Sequence, residues 1–292
     1  MDTKIFTGCG TAMFTPFKDG KVDLPTFAEN VKRQVEAGID FLVPLGTTGE
    51  TPTLSDDEKR AVLLTAREHA GGRKILVGVG TNCIPGTLAN IRLLPEADAF
   101  LVVAPYYNKP PQRGMYEYFK AIASETDKPI VLYNVPGRTG SNIEAETTLR
   151  LAADVPNIIA VKEASGKTDQ ILEILKGRPE GFAVLSGNDD DTLKLMKAGA
   201  DGVISVASNV APREMVAFVH AALRKEWPAA EALDSKLSEL FRVLFVESNP
   251  IPGKAAMALL GLMENSLRLP LVPATPATIA LMQQTLDAIW KK

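Results

Sequence analysis

A lysine and a glutamate follow the apolar residues 158–161, where the pattern predicts a strand that is buried on both faces. Lysine is rarely buried without a partner, so one interpretation is that the strand reaches the protein surface before residue 162 and that Lys162 is exposed to solvent. On the other, an amine in a dry pocket loses part of its preference for the charged form and becomes a nucleophile that forms a Schiff base with a carbonyl substrate. This stretch alone favours neither interpretation, so the decision rests on what else reaches the same place.

Hydroxyl, amide and guanidinium groups follow four other predicted strands. They lie in residues 46–50 (GTTGE), 105–108 (PYYN), 133–140 (YNVPGRTG) and 186–189 (SGND). Each loop taken singly has an ordinary explanation as a turn, a helix cap or a packing residue. Their joint position at one end of the predicted strands favours a common site, because independent packing residues would be scattered over both ends.

The chemistry of these groups fits a small keto acid. Tyr133, linked to Thr47 and Tyr107, could carry protons to and from the carbinolamine that precedes an imine. The loop of Thr47 and Thr48 offers adjacent hydroxyls and backbone N–H groups suited to a carboxylate. Arg138 adds a planar fork that grips a carboxylate at two points.

Short apolar segments alternate with amphipathic segments eight times before the alternation stops near residue 225. The predicted strands are residues 9–14, 41–45, 75–80, 99–104, 130–133, the strand of Lys162, 183–186 and 202–206. Successive βα units predict an α/β protein of the closed (β/α)8 TIM barrel type, whose active sites lie at the carboxyl ends of the strands. The rival is a doubly wound open sheet, which should show a phosphate-binding loop. Residues 78–83 (GVGTNC) lack the third glycine of such a loop.

Helix signals support the same organisation. Asp23 is a candidate N-cap, and Ser55 with Glu58 predicts a capping box. After residue 225 the pattern predicts helices only, at about 229–245, 253–260 and 275–290. We therefore expect a barrel over residues 1–226 that carries the site, and a C-terminal helical appendage over residues 227–292 that could serve as an oligomer contact.

The composition excludes several classes of function. Hydrophobic residues make up 46% and charged residues 23% of the 292 residues, with a net charge of −3 and no basic stripe for nucleic acid or anionic lipid. Two cysteines cannot form a disulfide framework, and neither a signal region nor a membrane span is evident. We expect a cytoplasmic protein. With two histidines and no paired-cysteine motif, no metal site is predicted.

Five segments together resemble the dihydrodipicolinate synthase family. They are residues 46–50, 106–108, 133–140, 161–166 and 247–252 (ESNPIP). The resemblance covers essentially the whole chain and lies within the pyruvate-dependent class I aldolases, which also include N-acetylneuraminate lyase. Arg138 is the most discriminating position, because the sialic acid lyases lack this arginine.

The resemblance implies a reaction and a role for each site residue. Pyruvate and L-aspartate 4-semialdehyde would condense to 4-hydroxy-tetrahydrodipicolinate, for lysine biosynthesis through diaminopimelate, without a cofactor. Lys162 would form the Schiff base, with Tyr133, Thr47 and Tyr107 as the proton relay. The implied binding residues are Thr48 for the pyruvate carboxylate, Arg138 for the semialdehyde carboxylate, and the main-chain groups of Gly187 and Ile204. The implied assembly is a homotetramer, a dimer of dimers in which Tyr107 crosses an interface to the neighbouring site.

Three alternatives stay open. The nearest is another pyruvate-dependent class I aldolase or lyase that acts on a sugar acid or another aldehyde, against which Arg138 argues. A pyridoxal phosphate enzyme would also use a lysine imine, but it needs a phosphate cradle that the sequence does not show. The third is a barrel that binds ligands without turnover, which the full set of lysine, tyrosines, threonine and arginine disfavours.

The sequence departs from the family pattern at the positions that bind inhibitory lysine in the feedback-inhibited members. These positions resemble Asp56, Lys59 and Gly86 here, while Thr51, Asn82 and Tyr106 remain as contacts. Lysine's amines would lose an acidic partner and meet the like charge of Lys59, so we predict weak or absent inhibition by lysine.

Several acidic residues are assigned no catalytic role. Glu50 and Glu163 are expected to cap a helix or balance a cation, since no spacing shows that they meet. The acidic run at residues 188–191 is expected to cap the following helix rather than bind a metal.

Overall fold

The computed structural model describes residues 5–290, in which parallel strands close into a barrel as the sequence predicts. The first four and the last two residues, which the predicted bounds 1–226 and 227–292 include, lie outside the described residues. The strands in chain order are β1 (Gly8–Ala12), β2 (Phe17–Lys18), β3 (Lys21–Val22), β4 (Phe41–Val43), β5 (Lys74–Gly78), β6 (Ala99–Val103), β7 (Ile130–Asn134), β8 (Ile158–Glu163), β9 (Ala183–Ser186) and β10 (Gly202–Ser205). β2 and β3 form a separate antiparallel pair that the sequence pattern did not predict, while the other strands follow one another around the barrel.

Helices follow the strands of the barrel and then continue alone. They are α1 (Leu24–Glu36), α2 (Asp56–His69), α3 (Ile84–Leu93), α4 (Gln112–Ala123), α5 (Pro136–Thr139), α6 (Ala145–Asp154), α7 (Thr168–Gly177), α8 (Thr192–Lys197), α9 (Pro212–Leu223), α10 (Trp227–Val243), α11 (Ile251–Leu259) and α12 (Pro276–Trp290). Both predicted caps are confirmed: Thr26 N donates to Asp23 Oδ1 over 3.1 Å, and Ser55 and Glu58 form the reciprocal capping box. The one-turn helix α5 was not predicted, because it is too short to show a hydrophobic period.

The amino-terminal end of the barrel is filled by aromatic side chains. Phe6 and Phe41 meet edge to face with their ring centroids 5.2 Å apart, and both are buried. Gly10 on the neighbouring strand makes room for them, since a Cβ at this position would lie 2.1 Å from the Phe41 ring. A packed interior at this end leaves the opposite end for a cavity.

Three aspartates link neighbouring strands at the same amino-terminal end of the barrel. Each directly precedes a strand, accepts a hydrogen bond from the backbone of a neighbouring strand, and pairs with a cationic or histidine side chain. The sets are Asp40 with Cys9 N and His220, Asp98 with Ile75 N and Arg67, and Asp201 with Val184 N and Arg178. These aspartates stabilise the barrel far from the strand ends where the polar loops lie.

The C-terminal helices are fastened to the barrel by Arg268, which lies between α11 and α12. Its guanidinium donates to both carboxylate oxygens of Glu58 over 2.5 and 2.7 Å, and to the carbonyl oxygens of Gly20 and Thr53. The division of the chain near residue 226 falls in the turn between α9 and α10 and remains a prediction. Within residues 5–290, no helix is long and apolar enough to cross a membrane.

The Glu58–Arg268 pair generates a stability prediction. Hydrogen bonding to Arg268 lowers the pKa of Glu58 to about 2, so its contribution is present above the unfolded pKa of about 4.3 and is lost as the pH falls through about 2. We expect Glu58→Gln to lower the free energy of unfolding by about 1–2 kcal/mol at pH 7, and by progressively less between pH 5 and pH 2. Urea denaturation followed by circular dichroism measures the difference.

The matched control is Glu239→Gln, which removes the partner of Arg242 on the exposed face of α10. We expect this variant to stay close to the wild type at every pH. A loss in Glu58→Gln that is the same at pH 7 and pH 3 would contradict the assignment to the ionised carboxylate.

Candidate active site

A cavity of about 560 Å³ opens at the carboxyl ends of the barrel strands, where the sequence places the site. Its lining includes the predicted residues Lys162, Tyr133, Thr47, Thr48, Arg138 and Gly187. The C-terminal part of the chain contributes Phe245, Ser248, Asn249 and Leu271 to the same wall. The barrel and the C-terminal helices therefore build one cavity together.

Lys162 is buried in this cavity and is not a solvated residue. It lies on β8 with 7% of its surface exposed, and its Nζ stands 4.3 Å from the centroid of the Tyr133 ring. Tyr133 of β7 is its direct partner in the parallel register, so both side chains point to the same face. Among residues 5–290, no carboxylate lies within 4.0 Å of this amine. A buried amine without a carboxylate partner is suited to nucleophilic attack on a carbonyl carbon.

The threonine loop consists of two consecutive 3-10 turns, Thr47–Gly49 and Thr51–Thr53, joined by Glu50. Thr48 is buried, and its Oγ1 accepts a hydrogen bond of 2.9 Å from Asn249 Nδ2. Thr47 is exposed to the cavity. The loop therefore offers one fixed and one free hydroxyl, and close backbone N–H groups, to an anionic ligand.

Arg138 stands on α5, one turn after the end of β7. Its Nη2 donates to the Asn249 backbone oxygen over 3.3 Å, and the residue lines the cavity. Asn249 thus contacts both Thr48 and Arg138 and holds two anion-binding groups in one frame. The sequence pattern predicts no role for Asn249, and the Asn-Pro break between two predicted helices is the one local signal of its position.

Gly187 and Ile204 have different positions. Gly187 lines the cavity and donates to the Glu163 oxygen over 2.8 Å, and a Cβ here would lie 2.5 Å from the Ala164 Cβ. Glycine is therefore required by the close approach of the two loops. Ile204 is buried in the barrel interior and does not form part of the cavity lining. Its main-chain role remains a prediction.

Tyr107 projects away from the cavity of its own chain. It is 88% exposed, takes a left-handed φ of +72°, and donates through its backbone to the Thr139 oxygen over 3.3 Å. Within the described chain, no hydrogen bond joins the hydroxyls of Tyr107, Thr47 and Tyr133. The three members of the predicted relay are therefore not brought together by one subunit.

The predicted lysine contacts lie beside the same cavity. Thr51 and Tyr106 line it, whereas Asn82 lies outside the lining and accepts from Asn108 Nδ2 over 2.9 Å. Lys59 also lines the cavity and pairs with Asp56 over 2.9 Å. Weak inhibition by lysine remains a prediction.

Glu163 is a buried carboxylate at the end of β8, and the expectation that it caps a helix or balances a cation was wrong. It accepts hydrogen bonds of 3.0 Å from Asn134 Nδ2 and Ser165 N and one of 3.2 Å from Gln170 Nε2. Burial raises its pKa. Because successive side chains of a strand face opposite ways, Glu163 points away from the Lys162 side and holds the ends of β7 and β8 together.

The expectation for the acidic run at residues 188–191 was wrong in one respect. Asp189 does not cap the following helix: its Oδ2 accepts from Val206 N and Ala207 N over 3.0 and 2.9 Å, after the end of β10. Asp191 occupies the N-cap position without a side-chain hydrogen bond to the helix. A buried carboxylate needs hydrogen-bond donors, and the backbone N–H groups that follow the end of β10 supply them.

The part of the chain that the structure describes contains no cluster of histidine, cysteine or acidic residues able to hold a metal ion.

Comparison with known proteins places this geometry in a family. Residues 5–289 match the model of the dihydrodipicolinate synthetase family. The chain is 49% identical to 4-hydroxy-tetrahydrodipicolinate synthase of Koribacter versatilis over 282 residues, 95% of this chain and 94% of the relative. Dihydrodipicolinate synthase from Thermotoga maritima superposes with a TM-score of 0.95 at 45% identity, over 97% and 98% of the two chains. A dihydrodipicolinate synthase variant described as monomeric gives a TM-score of 0.96 at 44% identity, over 98% of each chain.

Proposed function

The chain belongs to the dihydrodipicolinate synthetase family, and from this membership we propose that it condenses pyruvate with L-aspartate 4-semialdehyde to give 4-hydroxy-tetrahydrodipicolinate, a step of lysine biosynthesis. The observation that carries the proposal is the buried Lys162 amine against the Tyr133 ring, in a cavity that also presents Thr48 and Arg138. The match over residues 5–289 confirms the family that the sequence resembles.

The reaction begins with attack of Lys162 Nζ on the keto carbon of pyruvate. The carbinolamine loses water to give an imine, and loss of a methyl proton gives the enamine. The enamine carbon forms a bond to the aldehyde carbon of the semialdehyde, whose oxygen takes up a proton. The amine of the semialdehyde then attacks the imine carbon, closes the ring and releases Lys162, so that one water leaves in total.

Each of these steps moves a proton near Lys162. Tyr133, whose ring lies beside the amine, is placed to exchange protons with the carbinolamine. Thr47 on the cavity wall and Tyr107 of a neighbouring subunit extend this relay to solvent. Thr48 and the loop backbone bind the pyruvate carboxylate, Arg138 binds the carboxylate of the semialdehyde, and Gly187 and Ile204 offer main-chain groups near Lys162.

The exposure of Tyr107 supports assembly into dimers that share their sites. A tyrosine that is 88% exposed and has a left-handed backbone is energetically unfavourable in a single subunit, but its side chain can enter the active site of a partner. We propose a homotetramer, a dimer of dimers, in the cytoplasm. The fold alone does not set the assembly, since a similar variant is described as monomeric.

Replacing the nucleophile tests the reaction itself. We expect Lys162→Ala to abolish turnover of pyruvate plus L-aspartate 4-semialdehyde. The one other lysine that lines the cavity in the described chain is Lys59, whose amine is paired with Asp56. A coupled NADPH-dependent reductase reports turnover. Borohydride added with pyruvate should trap a covalent adduct on Lys162 of the wild type and none on the variant. A wild type that traps pyruvate without turning over the semialdehyde would favour another pyruvate aldolase.

Arg138 tests the identity of the second substrate. Loss of the guanidinium in Arg138→Ala should raise the KM for the semialdehyde about 10- to 100-fold, the effect of losing charged hydrogen bonds worth about 1.5–3 kcal/mol. Trapping of pyruvate should be unchanged. Arg138→Lys, which keeps the charge but not the fork, should give an intermediate KM. An unchanged KM in both variants would argue for a different aldehyde.

A hybrid dimer tests whether Tyr107 acts across an interface. Tyr107→Phe should lower turnover by about 100-fold or more, as expected for loss of a proton-transfer group. In a purified hybrid of Tyr107→Phe and Lys162→Ala subunits, one of the two sites contains both Lys162 and Tyr107. Activity should therefore return to about half of the wild-type value. Hybrids as inactive as their two parents would show that Tyr107 serves its own subunit.

A further inference from the structure

A fully buried ion pair joins the C-terminal helices to the threonine loop. Lys254 on α11 is 0% exposed and forms an ion pair with Glu50, a residue of the cavity wall that is also buried. The partners are separated by about two hundred residues of chain, so the contact exists only in the folded state. Removing one partner of a buried ion pair is costly, because the remaining charge is left without water or a counter-charge.

The surroundings of the pair are built around both charges. Lys254 Nζ also donates to the Ser266 oxygen over 2.9 Å, and Glu50 Oε2 accepts from Arg268 N over 3.0 Å. The Phe17 ring has Lys254 Nζ 4.1 Å from its centroid and the Arg268 guanidinium at 4.5 Å. Burial lowers the pKa of Lys254 to about 8, against the opposing effect of Glu50. The lysine is thus retained in an environment that resists its charge.

Glu50 itself has an unfavourable backbone conformation. Its φ is +52°, in the left-handed region that residues other than glycine rarely adopt. It is the hinge between the turn Thr47–Gly49 and the turn Thr51–Thr53, and its backbone N–H closes the first turn on the Thr47 oxygen over 3.1 Å. Such a conformation persists only where surrounding contacts hold it. The Glu50 side chain is held by the ion pair with Lys254 and by the hydrogen bond from Arg268 N.

We propose that Lys254 is a positioning residue for pyruvate. Through its ion pair with Glu50, it holds the carboxylate-binding loop of Thr47 and Thr48 in place. The proposal rests on the proposed function, since it assigns the loop to the pyruvate carboxylate. It makes the C-terminal helices part of the pyruvate site, although Lys254 itself contacts no substrate. A relaxed Glu50 backbone would move both threonines and leave Lys162, which stands on β8, in place.

The test measures pyruvate binding apart from the full reaction. For each variant, the pyruvate concentration that gives half-maximal borohydride trapping on Lys162 is determined, together with the KM for the semialdehyde and the melting temperature. Glu50→Gln and Lys254→Met should raise the half-saturating pyruvate concentration about tenfold or more. The KM for the semialdehyde should rise by a smaller factor than the half-saturating pyruvate concentration, because Arg138 stands on α5 and is linked to the loop only through Asn249.

The double variant Glu50→Gln/Lys254→Met separates positioning from stability. Neutral side chains of similar volume often restore the stability that is lost when one charge of a buried pair is removed. We expect the melting temperature to recover while the half-saturating pyruvate concentration stays raised. Recovery of both together would show a purely structural role and overturn the proposal.

Glu58→Gln is the matched control, since it also weakens the attachment of the C-terminal helices through Arg268 but leaves Glu50 paired. It should leave pyruvate trapping unchanged, and an equal rise in this variant would also overturn the proposal. If the wild type traps pyruvate and the Glu50 and Lys254 variants match it, only the positioning role fails. A wild type that traps no pyruvate would refute the proposed function and, with it, this inference.

Discussion

The site depends on the burial of one lysine amine at the end of a strand. Removing an ammonium group from water costs several kcal/mol, and a carboxylate neighbour normally offsets the cost. At Lys162 the described chain provides an aromatic face instead, the Tyr133 ring at 4.3 Å. The arrangement leaves the amine free of a carboxylate partner and open to a carbonyl carbon in the cavity, and the rest of the barrel must be rigid enough to maintain it.

That rigidity comes from a division between the two ends of the barrel. At the amino-terminal end, aspartates bind both a strand backbone and a neighbouring cationic or histidine side chain, and the Phe6–Phe41 contact fills the interior. At the carboxyl end, the buried acids Glu163 and Asp189 bind backbone and amide donors, while Glu50 is paired with Lys254 behind the threonine loop. Lys162 and Arg138, which line the cavity, have no carboxylate within 4.0 Å in the described chain and so remain available to anionic substrates.

The fold and the strand ends that line the cavity could be predicted from the sequence, for a physical reason. Alternating apolar and amphipathic segments predict the barrel, and a barrel places the carboxyl ends of all its strands on one rim. A shared site for Lys162, Tyr133 and Arg138 can therefore be inferred before any distance between them is known. What could not be predicted are contacts between residues far apart in sequence. Asn249 follows a helical segment and gives no sign that it binds Thr48, and Asp189 resembles a helix cap until the backbone after β10 is seen beside it.

The Glu50–Lys254 pair shows why such contacts escape a reading of local patterns. The sequence around Glu50 predicts a turn, and the sequence around Lys254 predicts a helix, so each residue is locally satisfied without the other. Only the packing of α11 on the barrel brings them together, aided by Gly253, where a Cβ would lie 2.3 Å from the Phe14 ring. A boundary drawn where the βα alternation ends therefore separates two lengths of sequence that a buried ion pair joins in the fold. The threonine loop contacts a helix that follows it by about two hundred residues, and the Phe17 ring lies with its centroid 4.1 Å from the buried amine of that helix.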